Sequence, residues 1–204
     1  MTTPSLAKPA HSGAAQTEML RDLLRTRQRL LVLTHNNPDP DSLGGAIGLM
    51  EFARLACGIE SKLAITGKIL RAENQAMVRE LAVEMDRLDA IKLSDYDCVA
   101  LVDTQPGFSH TFVPAGTNVD IVIDHHVCDD AKLDPSVTAF VDVRPDIGAT
   151  STMVGSYLMN AGVEPSPQAA TALHYGIRTD TADLSRNVSE LDVQFVDFLS
   201  HYID

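Results

Sequence analysis

Two kinds of segment alternate along this chain, and that alternation limits its folding choices more than any other feature. Short strand-like runs occur at Leu30–Thr34, Lys62–Thr66, Cys98–Asp103, Val119–Asp124 and Thr138–Asp142. The first is continuously apolar, as expected of a strand covered on both faces in a parallel sheet. Between the runs the pattern is helical. From Ala14 onward Met19, Leu20, Leu23 and Leu24 fall at i, i+3, i+4 spacing, and Arg25, Arg27 and Arg29 gather where a helix dipole favours cations. Further helices are expected over Leu43–Cys57, closed by Gly58, and over Arg71–Met85, Ala149–Asn160, Pro167–Arg178 and Ser189–Tyr202. Strands alternating with helices imply an α/β fold: a doubly wound, mainly parallel five-stranded sheet flanked by helices. With 204 residues, the chain fits one domain over 14–204 behind a flexible leader, 1–13. The leader lacks the apolar stretch of a secretory signal.

Composition removes several functions. Sixteen Lys+Arg against 28 Asp+Glu leave a formal charge of −12, which argues against a broad grip on duplex DNA. No apolar run is long enough to span a membrane. Cys57, Cys98 and Cys128 form neither a C-x-x-C pair nor an even disulfide set, so a reducing, cytoplasmic setting is expected. Of the 28 acids 20 are Asp, a hard, short-armed ligand of divalent cations.

In a parallel sheet ligands bind beyond the carboxyl ends of the strands. Here those ends are polar in a particular way. The first strand is followed by His35-Asn36-Asn37-Pro38-Asp39-Pro40-Asp41-Ser42, the third by Asp103-Thr104 and the fourth by Asp124-His125-His126, while Asp180 follows a later helical run. His and Asp without Cys suit Mn²⁺ or Mg²⁺ better than structural zinc. Each piece also has a plainer reading. Asp39 and Asp41 suit a turn, with Asp41 or Ser42 as the N-cap of the next helix, and Gly44 and Gly45 suit close packing rather than a phosphate loop. His174 sits on an apolar stripe, His11, His110 and His201 belong to no motif, and Asp129-Asp130 reads as solvated surface.

Taken together, His35-x-x-x-Asp39-x-Asp41-Ser42, Val102-Asp103-Thr104, Asp124-His125-His126 and Thr179-Asp180-Thr181 resemble the four ordered motifs of the DHH phosphoesterase superfamily. Asp103-Thr104-Gln105-Pro106-Gly107 and Gly176–Asn187 are most similar to its nano-RNase and 3′-phosphoadenosine 5′-phosphate phosphatase branch. The resemblance implies one ion held by His35, Asp39 and Asp103, and a second held by Asp41, Asp103, His125 and Asp180. It implies that His126 lies near the substrate phosphate and that Asp124 orients a neighbour. Two Mn²⁺ per chain are expected, with Mg²⁺ or Co²⁺ as substitutes. Such a pair can share a water, lower its pKa and offset charge developing on phosphorus. Arg178 and Arg186, and the hydroxyls and amides of Thr150 and Ser151, are candidates for holding the phosphate. The activity implied is metal-dependent hydrolysis of phosphoester bonds in short single-stranded oligonucleotides or small nucleotides, with a homodimer as the candidate assembly. Rivals are a regulatory nucleotide-binding module without turnover and an inorganic pyrophosphatase. Relatives usually add a C-terminal substrate-binding domain, and no such segment precedes Asp204. Either the sequence is a piece of a longer protein or this member works without its clamp. Where relatives continue with Gly after the last motif, this chain has Ala182, Asp183 and Leu184.

Overall fold

Leu30, Leu31, Val32 and Leu33 are all buried because the strand they form, β1 (Arg29–Leu33), lies inside a sheet and is covered on both faces. The computed structural model describes residues 13–127 and 138–203. After α1 (Ala14–Arg25) and β1, the chain forms α2 (Pro40–Phe52), β2 (Glu60–Ile65), α3 (Ala72–Glu80) and β3 (Asp86–Arg87). It continues through β4 (Cys98–Val102), β5 (Ile121–Asp124), β6 (Phe140–Val143), α4 (Thr150–Asn160), α5 (Pro167–Asp180) and α6 (Glu190–Ser200). Every strand pairing is parallel, in the order β3-β2-β1-β4-β5-β6.

Among the described residues the sheet therefore has six strands, not five. The extra strand, β3, is two charged residues long and pairs only through Ala64–Asp86 and Ile65–Arg87, too little for any periodicity to reveal. The helix expected to reach Met85 stops at Glu80, and Ala82 turns the chain into the left-handed region at φ 46°. Helix α2 begins three residues before the expected Leu43. Its N-cap is Asp39, two residues ahead of the expected Asp41, in a capping box: Asp39 Oδ1 accepts from Ser42 N at 3.0 Å and Ser42 Oγ accepts from Asp39 N at 3.0 Å. Such a cap contributes about 0.5–2 kcal/mol, and Pro40 in the first turn has no N–H to satisfy. The leader through Ser12 with His11, and Cys128 with Asp129-Asp130, lie outside the described residues.

Strand order reverses between β1 and β4, which opens a crevice at their carboxyl ends. One face of the sheet, with Leu30, Val32, Leu63, Ala100, Val102 and Ile121, packs against side chains from all six helices. The opposite face, with Leu31, Leu33, Leu101 and Val122, is covered by 3₁₀ turns and loops that contribute Leu88, Ile91, Leu93 and Val113. Among the described residues no helix is long and apolar enough to cross a membrane.

Small residues let three helices converge behind that crevice. A Cβ at Gly44 in α2 would lie 2.6 Å from Ala172 O and 2.7 Å from Ser151 Oγ, and one at Gly176 in α5 would lie 3.0 Å from Pro40 O. The glycines thus act in close packing and bring the starts of α2 and α4 to the last turns of α5.

Candidate metal centre

Residues from four places in the chain meet at the crevice. His35 follows β1, Asp39 and Asp41 open α2, Asp103 follows β4, Asp124 ends β5 with His125 and His126 behind it, and Asp180 ends α5. His35 Nδ1 donates to Asn36 O at 2.9 Å, which turns its Nε2 toward Asp39 Oδ1 at 3.7 Å and Asp103 Oδ2 at 3.8 Å. His125 repeats the device. Its Nδ1 donates to Ile147 O at 3.2 Å, and its Nε2 faces Asp41 Oδ2 at 3.9 Å, Asp103 Oδ1 at 3.7 Å and Asp180 Oδ2 at 3.3 Å.

Asp103 is the hinge of this arrangement. It is 2 % exposed, sits in the left-handed region at φ 60°, and presents one carboxylate oxygen to each of these histidines. A short polar side chain tolerates that backbone better than most. Asp41, 1 % exposed, is held by the first turn of α4: Thr150 N donates to its Oδ2 at 2.7 Å and Ser151 N to its Oδ1 at 2.9 Å. Thr150 Oγ1 donates to Asp103 Oδ1 at 2.9 Å. Thr150 and Ser151 are fully buried, so they serve two carboxylates rather than open space, in contrast to the phosphate contact expected of them.

His126 differs from its neighbour. Its Nδ1 donates to Asp124 Oδ1 at 2.8 Å, and its side chain is half exposed. Asp124 is fully buried and also accepts from Gln105 Nε2 at 2.8 Å. Arg186 is exposed beside the cluster and donates to Asp180 O at 3.0 Å. Arg178 is paired with Asp183, Nε to Oδ1 at 2.8 Å, and lines a separate groove with Arg71, Asn74 and His174.

Electrostatically, the buried carboxylates repel one another and resist ionisation. Burial, with repulsion from Asp180 and against the pull of His125, pushes Asp41 up to about 6. Burial and the carboxylates of Asp41, Asp39 and Asp124 drive Asp103 well above the usual range, and burial raises Asp180. At the cluster edge the balance reverses. Burial opposes ionisation of Asp39, but hydrogen bonds with His35 and Ser42 hold it down at about 2. His35 is raised: burial works against its charge, and Asp39 overcomes that. The Asp124 hydrogen bond raises His126 against the effect of burial.

The donor set fits divalent metal. Three groups, His35/Asp39/Asp103, Asp41/His125/Asp180 and Asp103/His125/His126, each bring one ligand atom per residue within 4.8 Å of one another. His125 Nε2 is buried without a hydrogen-bond partner, an unsatisfied lone pair that a cation would take up. Asp103 and His125 each belong to two of these groups. Of the described cysteines, Cys98 opens β4 at the far end of the sheet and Cys57 ends the turn after α2, so neither reaches the cluster.

Sequence reasoning missed His110. It lies on the β4–β5 connection, accepts from Asn36 N at 2.7 Å through its backbone oxygen, and its ring stands 5.5 Å from that of His35. Burial and the rings of His35 and His126 lower its pKa. It lies outside every motif, and only its loop, at the carboxyl end of β4, pointed to the site.

Residues 29–177 match the DHH family, N-terminal domain. The chain belongs to the DHH family. It is 39% identical over 175 residues to an uncharacterised protein of Methanocaldococcus jannaschii, covering 86% of this chain and 35% of the relative. It is 28% identical over 156 residues to a probable manganese-dependent inorganic pyrophosphatase of Clostridium acetobutylicum, covering 74% of this chain and 47% of that protein. Among solved structures, an exopolyphosphatase-related protein from Bacteroides fragilis superposes with a TM-score of 0.74 at 16% identity, over 100% of this chain and 59% of that one. RecJ in complex with Mn²⁺ from Thermus thermophilus gives 0.50 at 20% identity, over 87% of this chain and 26% of RecJ. These likenesses establish the fold. The DHH chain spans about a third to a half of the length of the curated relatives it matches.

Proposed function

We propose that this DHH chain is a phosphoester hydrolase loaded with two Mn²⁺ ions, acting in the cytoplasm on short single-stranded oligonucleotides or small nucleotides, as in the nano-RNase branch. The observation that carries the reading is the orphaned His125 Nε2 facing Asp41, Asp103 and Asp180 at 3.3–3.9 Å. His35, Asp39 and Asp103 would hold one ion, and Asp41, Asp103, His125 and Asp180 the other. Bound there, divalent ions supply Lewis acidity, lowering the pKa of water and offsetting charge on the phosphoryl group.

The chain's own residues do the rest. The Nδ1 hydrogen bonds of His35 and His125 fix the tautomers that leave Nε2 as a donor atom. The α4 amides keep the Asp41 carboxylate in one orientation. His126, charged more readily because of Asp124, and Arg186 place positive charge beside the cluster, where a phosphate needs it. The naming of the Clostridium relative favours a second reading, an inorganic pyrophosphatase.

The test is hydrolysis by the purified chain with Mn²⁺. Release of nitrophenol from bis-p-nitrophenyl phosphate and cleavage of a 5′-phosphorylated dinucleotide are expected, both abolished by EDTA. Turnover of pyrophosphate alone would replace this reading with the second, and no turnover of any of them would overturn both. A gripping domain beyond Asp204 would raise kcat/KM through positioning.

A further inference from the structure

Beside the metal centre, at the same end of the sheet, a cleft of about 380 Å³ lies between the ends of β2 and β3 and the β4–β5 connection. Its volume is in the lower part of the range of small-molecule sites, about 300–1,000 Å³. Ile65, Leu88, Pro114 and Phe112 give it an apolar wall, Asn36 and Thr66 lie at its polar edge, and Arg87 and Asp89, ion-paired with each other at 2.9 Å, also line it. Asn36 directly follows His35, so the cleft and the metal centre share a wall. Phe112 is 54% exposed and so leaves an aromatic face open at the cleft. Two residues before it, His110 accepts the Asn36 amide hydrogen bond, which fixes the aromatic loop against the metal-centre loop. The far side is also tied down, because Asn37 Oδ1 accepts from Lys68 N at 2.9 Å. Thr66 Oγ1 donates to Asn36 Oδ1, so the Asn36 oxygen is engaged and its amide hydrogens face no protein acceptor among the described residues.

We propose that this cleft is a nucleobase subsite: the base of a nucleotide whose phosphate lies at the metal centre stacks on Phe112, with the Asn36 amide as donor to a base acceptor. The inference rests on the phosphoesterase reading above and goes further, since it assigns the part of the substrate that the metal centre does not touch. The aromatic face of Phe112 gives no stacking energy to an inorganic substrate, and Arg87, the cation lining the cleft, is already paired with Asp89. A base does stack, and stacking on an aromatic side chain tolerates any of the bases.

The experiment is calorimetric and reads binding rather than turnover. Adenosine 5′-monophosphate and ribose 5-phosphate are titrated into the Mn²⁺-loaded chain and into its Phe112→Ala and Phe112→Trp variants. The nucleotide should bind the unaltered chain roughly five- to hundred-fold more tightly, the size of one base–aromatic stack. Phe112→Ala should bring the two ligands within about two-fold, with ribose 5-phosphate and Mn²⁺ affinities unchanged, and Phe112→Trp should preserve the gap. Phe112 is solvent-exposed, so neither variant threatens the fold. Nucleotide binding that is absent or no tighter than the sugar phosphate's, or a gap that survives Phe112→Ala, overturns the subsite. Failure of the phosphoesterase reading would instead appear as lack of hydrolysis while the binding gap persists.

Discussion

His125 and His126 are adjacent in sequence but differ in every physical respect that matters to a metal. His125 is largely buried, its Nδ1 engaged with Ile147 O and its Nε2 without a partner, whereas His126 is half exposed and gives its Nδ1 to Asp124. His125→Ala should therefore weaken Mn²⁺ binding by about ten-fold or more, the scale on which metal sites respond to lost support. His126→Ala should leave Mn²⁺ affinity within a few-fold and lower kcat by about 10²-fold, as expected for lost charge stabilisation. Titration calorimetry with Mn²⁺ and initial rates on the two variants check this, and equal metal loss in both would show the roles to be misassigned. The DHH motif marks the pair in sequence. The resemblance already gave the two histidines different roles, and what it could not show is how His125 is oriented, by the Ile147 carbonyl far along the chain.

At the scale of elements, the centre is a junction of α2, α4 and α5, and the carboxylates it gathers make the metal-free fold sensitive to pH. Asp41 is raised to about 6 by burial, and burial with the neighbouring carboxylates also raises Asp103, both from a carboxylate's usual value near 4. In that window the folded state holds protons that the unfolded chain has lost, so stability falls as pH rises through it. In EDTA the melting temperature should drop between pH 5 and 7.5, and Mn²⁺ should restore it at pH 7.5 because it binds only the native state. Thermal scans measure this, and a metal-free melting temperature flat across the window would contradict it. A second element-scale dependence runs through α6. Asp192, fully buried, accepts from Gly148 N at 2.9 Å, from Ser189 N at 2.7 Å and from Thr152 Oγ1 at 2.5 Å, and so fixes the segment whose Ile147 carbonyl orients His125. Asp192→Ala should cost more than about 3 kcal/mol, since several buried donors lose their acceptor at about 1–3 kcal/mol each. It should also weaken Mn²⁺ binding, both seen by denaturant titration and calorimetry. In sequence Asp192 reads only as the third residue of a helix, because its partners are distant loops.

Over the whole molecule, the α/β architecture was legible because a parallel sheet writes apolar runs into the sequence and sets its ligands after them. His35, Asp103 and His125 could be found that way. The sixth strand was not, being two charged residues at an edge, and neither was the cover of the second face, where 3₁₀ turns and loops stand in for helices. The cleft at Phe112 was equally hidden, since it arises where the segments after four different strands converge. Asp103, with one carboxylate oxygen toward each of His35 and His125, would serve both proposed ion sites, and a count of bound Mn²⁺ puts that to the test. Electron paramagnetic resonance of free Mn²⁺ during titration should give two ions per unaltered chain, one for His35→Ala and none held tightly by Asp103→Ala. One zinc per chain in the purified protein, or an Asp103→Ala variant that still binds two Mn²⁺, would contradict it.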